Sequence, residues 1–139
     1  MTQKSAFTWP VRVYYEDTDV GGVVYYANYL RYLERARTEW LRSFGIEQDR
    51  LLESERLMFV VTRASIDYRS PARFNDELTV SVEVTGNMRT SLEFHQSVHR
   101  EDADGDRRLI CEGQVRVACV SADSLRPRRL PASVMEALA

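Results

Sequence analysis

Hydrophobic residues recur along this chain at two periods, and each switch between them marks a new element. In residues 9–15, Val11, Val13 and Tyr15 alternate with Arg12 and Tyr14, which predicts a half-buried strand. Pro10 suits its first residue or an edge. From about Ala27 to Phe44 the period lengthens. Leu30, Leu33, Arg37, Trp40, Leu41 and Phe44 follow i, i+3, i+7, i+10, i+11 and i+14, and the apolar members make one helical stripe. Arg31, Glu34, Arg35, Thr38, Glu39 and Arg42 take the other faces, with Arg35 and Glu39 forming an i, i+4 pair. Gly45 is a natural stop for this helix of about five turns, and Asn28 is an alternative N-cap.

Residues 46–56 are charged with scattered leucines and predict a short helix or turn. The period then becomes two. Val60, Thr62, Ala64, Ile66 and Tyr68 oppose Val61, Arg63, Ser65, Asp67 and Arg69, and Pro71 ends the run. Leu78, Val80, Val82 and Val84 form the cleanest alternation, followed by a turn at Gly86-Asn87. Leu92, Phe94, Gln96 and Val98 make the next strand. The run from Asp102 to Asp106 is a hairpin loop, and Leu109 to Cys119 is a long last strand. Pro127 and Pro131 bracket a basic loop before a short helix over residues 132–138. Helix and strands are segregated along the chain, so the fold class is α+β rather than βαβ. A long central helix buries its stripe when a curved antiparallel sheet wraps it, leaving the sheet's other face polar.

The 139 residues fit one domain, 1–139, able to bury a core without disulfide or metal. Nineteen basic and 21 acidic side chains leave a net charge of −2, with no basic excess to suggest nucleic acid as the main partner. The apolar runs are too short to span a bilayer. The N-terminus lacks the charged-then-apolar signal pattern, which predicts a cytoplasmic protein. Cys111 and Cys119, on one strand, lie ~27 Å apart at 3.3–3.4 Å per residue and read as buried reduced thiols.

Several sites are considered and set aside. His95 and His99 sit ~13 Å apart on one face of a strand, too far for a shared zinc ion, so no metal is expected. The 102–106 loop has Arg107 and Gly113 where a calcium loop needs Gly and Glu. No serine elbow, phosphate loop or dinucleotide fingerprint is present, and no cofactor is expected. What remains is Glu16-Asp17-Thr18-Asp19 followed by Gly21-Gly22 and a helix. In extended backbone Asp17 and Asp19 point the same way and Glu16 the other. This pair reads either as acid chemistry beside a helix N-terminus, or as a turn opened by Asp19 with Asp17 in solvent. Gly21 and Gly22 read either as that turn or as the place where a substrate meets the backbone.

The segment Val13-Tyr14-Tyr15-Glu16-Asp17-Thr18-Asp19-Val20-Gly21-Gly22-Val23-Val24-Tyr25, with Asn28-Tyr29 and Glu34-Arg35-Ala36-Arg37-Thr38-Glu39, resembles the signature of the hotdog-fold acyl-CoA thioesterases. Asp67-Tyr68-Arg69-Ser70-Pro71-Ala72 and Arg126-Pro127-Arg128-Arg129-Leu130-Pro131 extend the likeness to the Tol-Pal-associated branch, with 4-hydroxybenzoyl-CoA thioesterase also similar. The resemblance implies a long helix wrapped by an antiparallel sheet, and an acyl-CoA substrate. It implies dimers or dimers of dimers, a homotetramer, with sites at subunit interfaces. It also implies Asp19 as catalytic carboxylate, with the backbone N–H of Tyr26 polarising the thioester carbonyl. The branch usually has His at this position, so any role of that imidazole is absent here.

By the same resemblance CoA phosphates rest on basic loops, for which Arg89, before Thr90-Ser91, and the Arg126/Arg128/Arg129 cluster, Arg128 in particular, are candidates. Asn28 and Tyr29 are structural or line the acyl pocket, and Leu30, Leu33 and Trp40 are core. Two other readings stand beside the thioesterase. A hotdog hydratase needs an Asp/His pair that the spacing does not provide. A non-catalytic hotdog module would bind acyl carriers or envelope-assembly proteins.

Overall fold

The computed structural model describes residues 7–139. The signal-pattern reading of the N-terminus falls on residues 1–6 and lies outside the described residues. In chain order the elements are β1 (Phe7–Arg12), a 3-10 turn (Tyr15–Asp17), α1 (Asn28–Arg42), α2 (Gln48–Glu55), β2 (Leu57–Tyr68), β3 (Glu77–Asn87), β4 (Ser91–Glu101), β5 (Arg107–Ser121) and α3 (Ala132–Leu138). The strands form one antiparallel sheet in the order β1-β3-β4-β5-β2, and the expected α+β arrangement is present.

α1 packs on the inner face. Its buried apolar side chains are Tyr29, Tyr32, Leu33, Ala36, Trp40 and Leu41, with Asn28 buried beside them, so the stripe is rotated from the predicted one. Leu30 and Phe44 are exposed, which corrects the assignment of Leu30 to the core. Gly113 of β5 lies under the helix: a Cβ there would meet Ser65 O of the neighbouring strand at 3.0 Å and touch Leu33 Cδ1 at 3.4 Å, so glycine leaves room for both. Beside it Gln96 is fully buried. Its amide donates to Leu33 O (3.0 Å) and Ser81 O (3.3 Å), and its carbonyl accepts from Arg37 (2.9 Å). A buried amide satisfied on three sides ties helix to sheet in one register. Gly45, at φ +80°, ends the helix and lets Ile46 N–H return to Leu41 O.

The outer face is polar, as expected: Ser81 bonds Ser97, Glu93 pairs with Arg116, and His95 lies between Glu83 and Glu112. Two boundaries differ from the sequence reading. β1 stops at Arg12, and the chain then folds into the 3-10 turn. β3 runs through Gly86 and Asn87 on a bulge, which moves the turn to 88–90.

The sheet has two edges, β1 and β2. β2 is paired along one side with β5, and residues 61–65 are exposed.

Candidate active site

The acidic segment folds into a tight hairpin between the 3-10 turn and α1. Thr18 bridges Val24, and Asp19 N–H donates to Val23 O (3.0 Å). Gly22 N–H returns to Asp19 O (3.0 Å), with Gly22 at φ +77°. This tip needs a glycine because an L side chain is strained there. Gly21 N–H donates to Asp19 Oδ1 (2.9 Å), and a Cβ on Gly21 would sit 3.3 Å from that oxygen. Asp19 is exposed, and among the described residues nothing donates to its second carboxylate oxygen.

Asp17 is different. It is buried at 7% exposure. Its Oδ2 accepts Tyr14 N–H (2.8 Å), its Oδ1 accepts Asn28 Nδ2 (2.8 Å), and its backbone carbonyl accepts Tyr25 N–H (3.0 Å). Burial opposes ionisation, but the Tyr14 N–H, the Asn28 amide, the Tyr32 hydroxyl and the Arg35 charge together hold the carboxyl below its usual range. The shared-face reading of Asp17 and Asp19 is therefore corrected. The 3-10 turn sends Asp17 inward, and only Asp19 faces out. The turn reading was right for Asp19 and wrong in leaving Asp17 in solvent.

The hairpin feeds α1 directly. Tyr26 N–H and Ala27 N–H have no acceptor among the described residues, while Asn28 N–H donates to Tyr25 O. Two N–H groups without an acceptor among the described residues thus stand at the positive end of a 15-residue helix. Tyr26 is exposed, and its ring lies 4.8 Å from that of Tyr25 and 6.2 Å from that of Tyr68. The Tyr68 hydroxyl donates to Tyr26 O (3.0 Å). Nothing in the hydrophobic pattern marks Tyr25 or Tyr68 as a site residue. The only signal for Tyr68 was its place in the Asp67-Tyr68-Arg69 motif.

The remaining candidates do not all converge. The Asn28 amide is engaged by Asp17, and the Tyr29 hydroxyl accepts Ala72 N–H (3.1 Å); both residues are buried. Within one protomer they form the wall behind the hairpin. Arg89 and Arg128 are exposed and lie near each other, since Leu130 N–H bonds Arg89 O and Arg128 N–H bonds Cys119 O. They sit at the far end of the sheet, however. β3 starts beside the loop that touches Val23 and ends next to Arg89, a span of ~33 Å at strand rise. One protomer does not bring them to Asp19. Between the C-terminal half of α1 and the start of β2 lies a cavity of about 220 Å³, lined in part by Glu34, Arg37, Trp40, Phe59 and Val61. Among the described residues no group of three His, Cys, Asp or Glu side chains is placed to hold a metal ion, and no helix is long and apolar enough to cross a membrane.

Residues 13–138 match the model of the thioesterase-like superfamily. The chain is 45% identical to the acyl-CoA thioester hydrolase YbgC of Escherichia coli O6:H1, over 93% of this chain and 92% of that one. It is 42% identical to the acyl-CoA thioesterase YbgC of Haemophilus influenzae, over 96% and 94%. Among solved structures, a probable thioesterase from Bartonella henselae superposes with a TM-score of 0.83 at 31% identity, covering 91% of this chain and all of that one. The 4-hydroxybenzoyl-CoA thioesterase of Pseudomonas sp. strain CBS-3 shares the fold, with a TM-score of 0.87 at 24% identity over 95% and 98%.

Proposed function

The chain belongs to the thioesterase-like superfamily, and from that premise we propose that its Asp19 hairpin and α1 N-terminus hydrolyse acyl-CoA to a carboxylate and free CoA. The observation that carries this reading is a pairing. An exposed carboxylate with one free oxygen stands at one end of a seven-residue hairpin, and two unpaired helix N–H groups stand at the other. Acyl transfer needs both an activated attack and a stabilised oxyanion.

The thioester carbonyl oxygen rests on Tyr26 N–H at the positive helix end. A preorganised donor of this kind contributes ~3–4 kcal/mol to the transition state. Asp19 drives the attack by one of two routes. As general base it takes a proton from water while the water oxygen bonds the carbonyl carbon. As nucleophile its free oxygen forms a mixed anhydride that water then cleaves. In both, the C–S bond breaks, CoA leaves as thiolate, and a proton returns to it. A thiolate with a pKa near that of free cysteine, ~8.5, leaves without a strong acid, so a site with Tyr in place of His suffices. Gly21 keeps the approach to Asp19 open.

Catalysis in this reading takes two copies of the chain. Antiparallel pairing of β2 with β2 of a second copy, about an axis near Thr62–Arg63, sets the Leu57 end of one strand beside the Tyr68 end of the other. The Tyr68 end adjoins Tyr26; the Leu57 end adjoins Arg89 and Arg128, because Thr90 O and Phe59 both meet Cys119. The basic end of each protomer would then serve the Asp19 of the other and hold the CoA phosphates. A homotetramer is two such dimers. The whole chain acts as one catalytic domain in the cytoplasm, where two buried unpaired thiols are at home.

Thiol release from short aliphatic, long aliphatic and aromatic acyl-CoAs, with Asp19→Asn in parallel, tests the reading. Wild type is expected to hydrolyse some of the panel and the folded variant to lose at least ~10²-fold in kcat. No release by wild type would favour a binding module. Single turnover in H₂¹⁸O separates the routes: general-base attack places ¹⁸O in the product carboxylate, whereas an anhydride opened by water at the Asp19 carboxyl carbon gives unlabelled product and leaves ¹⁸O in Asp19.

A further inference from the structure

The buried carboxylate of Asp17 has no part in the reaction as written, yet both of its oxygens are hydrogen-bonded. Its two oxygens are divided. One takes the backbone N–H of Tyr14, before the hairpin, and the other takes the side-chain amide of Asn28, in the first turn of α1. Its own carbonyl takes the N–H of Tyr25, one peptide from the free N–H of Tyr26. Asp17 is two residues from Asp19 on the other side. Segments before and after the hairpin are therefore tied together at this one residue, beside the bonds from Val24 N–H to Ala72 O and from the Tyr68 hydroxyl to Tyr26 O. The Tyr32 hydroxyl, fully buried, makes no well-formed hydrogen bond. Burial first, and then the neighbouring Asp17 carboxylate, push that phenol up, so the tie consists of Tyr14, Asp17 and Asn28.

We infer that Asp17 and Asn28 form a positioning clamp that holds the Asp19 carboxylate and the Tyr26 N–H in register across the hairpin. The inference rests on the thioesterase reading only for what the clamp is used for. The clamp itself is a matter of hydrogen bonding. Asp17→Ala removes both acceptors and with them the Tyr14 and Asn28 bonds, whereas Asp17→Asn alone keeps both once the Asn28 amide turns over to accept from the new amide. An Asp at 28 faces the Asp17 carboxylate and repels it. With both changes the bonds return in reversed polarity: the carbonyl of Asn at 17 accepts Tyr14 N–H, and its amide donates to the Asp at 28. That carboxylate also falls in the first helical turn, where negative charge is favoured.

Asp17→Ala, Asn28→Asp and the double variant Asp17→Asn/Asn28→Asp are compared for kcat, KM and hydrogen exchange of the 18–28 segment. Each single variant is expected to lower kcat at least ~10-fold, with KM within ~3-fold of wild type, because an oxyanion donor out of line weakens the transition state more than ground-state binding. Each is also expected to raise exchange at the Tyr25 amide by ~10-fold. The double variant is expected to return both quantities to within ~3-fold of wild type. Single variants with wild-type kcat and exchange would overturn the clamp. So would a double variant no better than the singles, since that outcome makes the charge at 17 matter for itself. The exchange measurement reads the clamp even if no acyl-CoA is hydrolysed, which separates its failure from failure of the thioesterase reading.

Discussion

The two edges of the sheet meet the same problem in opposite ways. An edge strand offers a row of unpaired N–H and C=O groups to any other chain. The described part of β1 is six residues long, carries Pro10 in mid-strand, and ends on Arg12, which is tied to Glu77 and to Asn75 O. Pro10 removes a donor, and the length gives little to pair with. β2 is twice as long, has no proline, and leaves residues 61–65 exposed. A strand with so little burial of its own gains stability only from what it joins. The contrast teaches that exposure at β1 is an end and exposure at β2 is an offer, which is why the proposed second copy is placed on β2.

The sharpest way to break the comparison is one carboxylate on each edge. Ala64 is exposed in the protomer, so Ala64→Asp leaves a lone chain folded. In a β2–β2 dimer the same group is buried without a partner, on both copies. An unpaired buried charge at an interface costs 2–5 kcal/mol or more. Ala64→Asp is expected to weaken the dimer by ~10²-fold or more and to reduce activity in step, read by light scattering and thiol release on diluting the protein. Thr8→Asp on β1 is expected to change neither. Equal effects at both edges would remove the contrast.

Part of this arrangement is legible in the sequence. The strands from residue 60 onward alternate cleanly because one face is apolar and the other polar, as at Leu78 to Val84. The rotation of α1 is not legible. Leu30 is as apolar as Leu33, and the choice falls to Tyr29, Tyr32 and Ala36 because Gln96 and Gly113 set how the helix lies. Nor is the early end of β1. Tyr15 continues the alternation, but local bonds from Asp17 and Thr18 back to Tyr14 and Tyr15, and the contact from Asp17 to Asn28, 11 residues away, turn the chain. Asp19, Gly21 and Tyr26 are proposed through the motif. The separation of Arg128 from Asp19 within a protomer is not legible, because no local pattern reports which end of a sheet a loop reaches.

A smaller effect tests whether the β2 offer completes the site. Arg128→Glu is expected to raise KM for acyl-CoA by ~10-fold with little change in kcat, since it removes a phosphate contact far from the thioester. Mixed with Asp19→Asn by co-expression, the two variants form heterodimers. If Asp19 of one chain works with Arg128 of its partner, each heterodimer regains one intact site. Random pairing then restores about a quarter of wild-type activity at low substrate. A site built within one protomer would restore none.

The smallest expected effect uses reporters already in the chain. Cys111 stands opposite Tyr68 and Cys119 opposite Phe59, so the two thiols lie behind the two ends of β2. Both are fully buried. Burial pushes the Cys111 thiol up to about 12 and raises that of Cys119 as well. The thiolate is the reactive species, so at pH 8 both are expected to react with a thiol reagent at least ~10²-fold more slowly than a free cysteine. Reaction then proceeds through opening of the strand that covers them. If a second copy holds β2 down, Ala64→Asp speeds labelling of both cysteines together, by ~3–10-fold, and Thr8→Asp leaves both unchanged. Labelling that speeds equally with either variant would mean that the sheet opens as a whole and that β2 owes nothing to a partner.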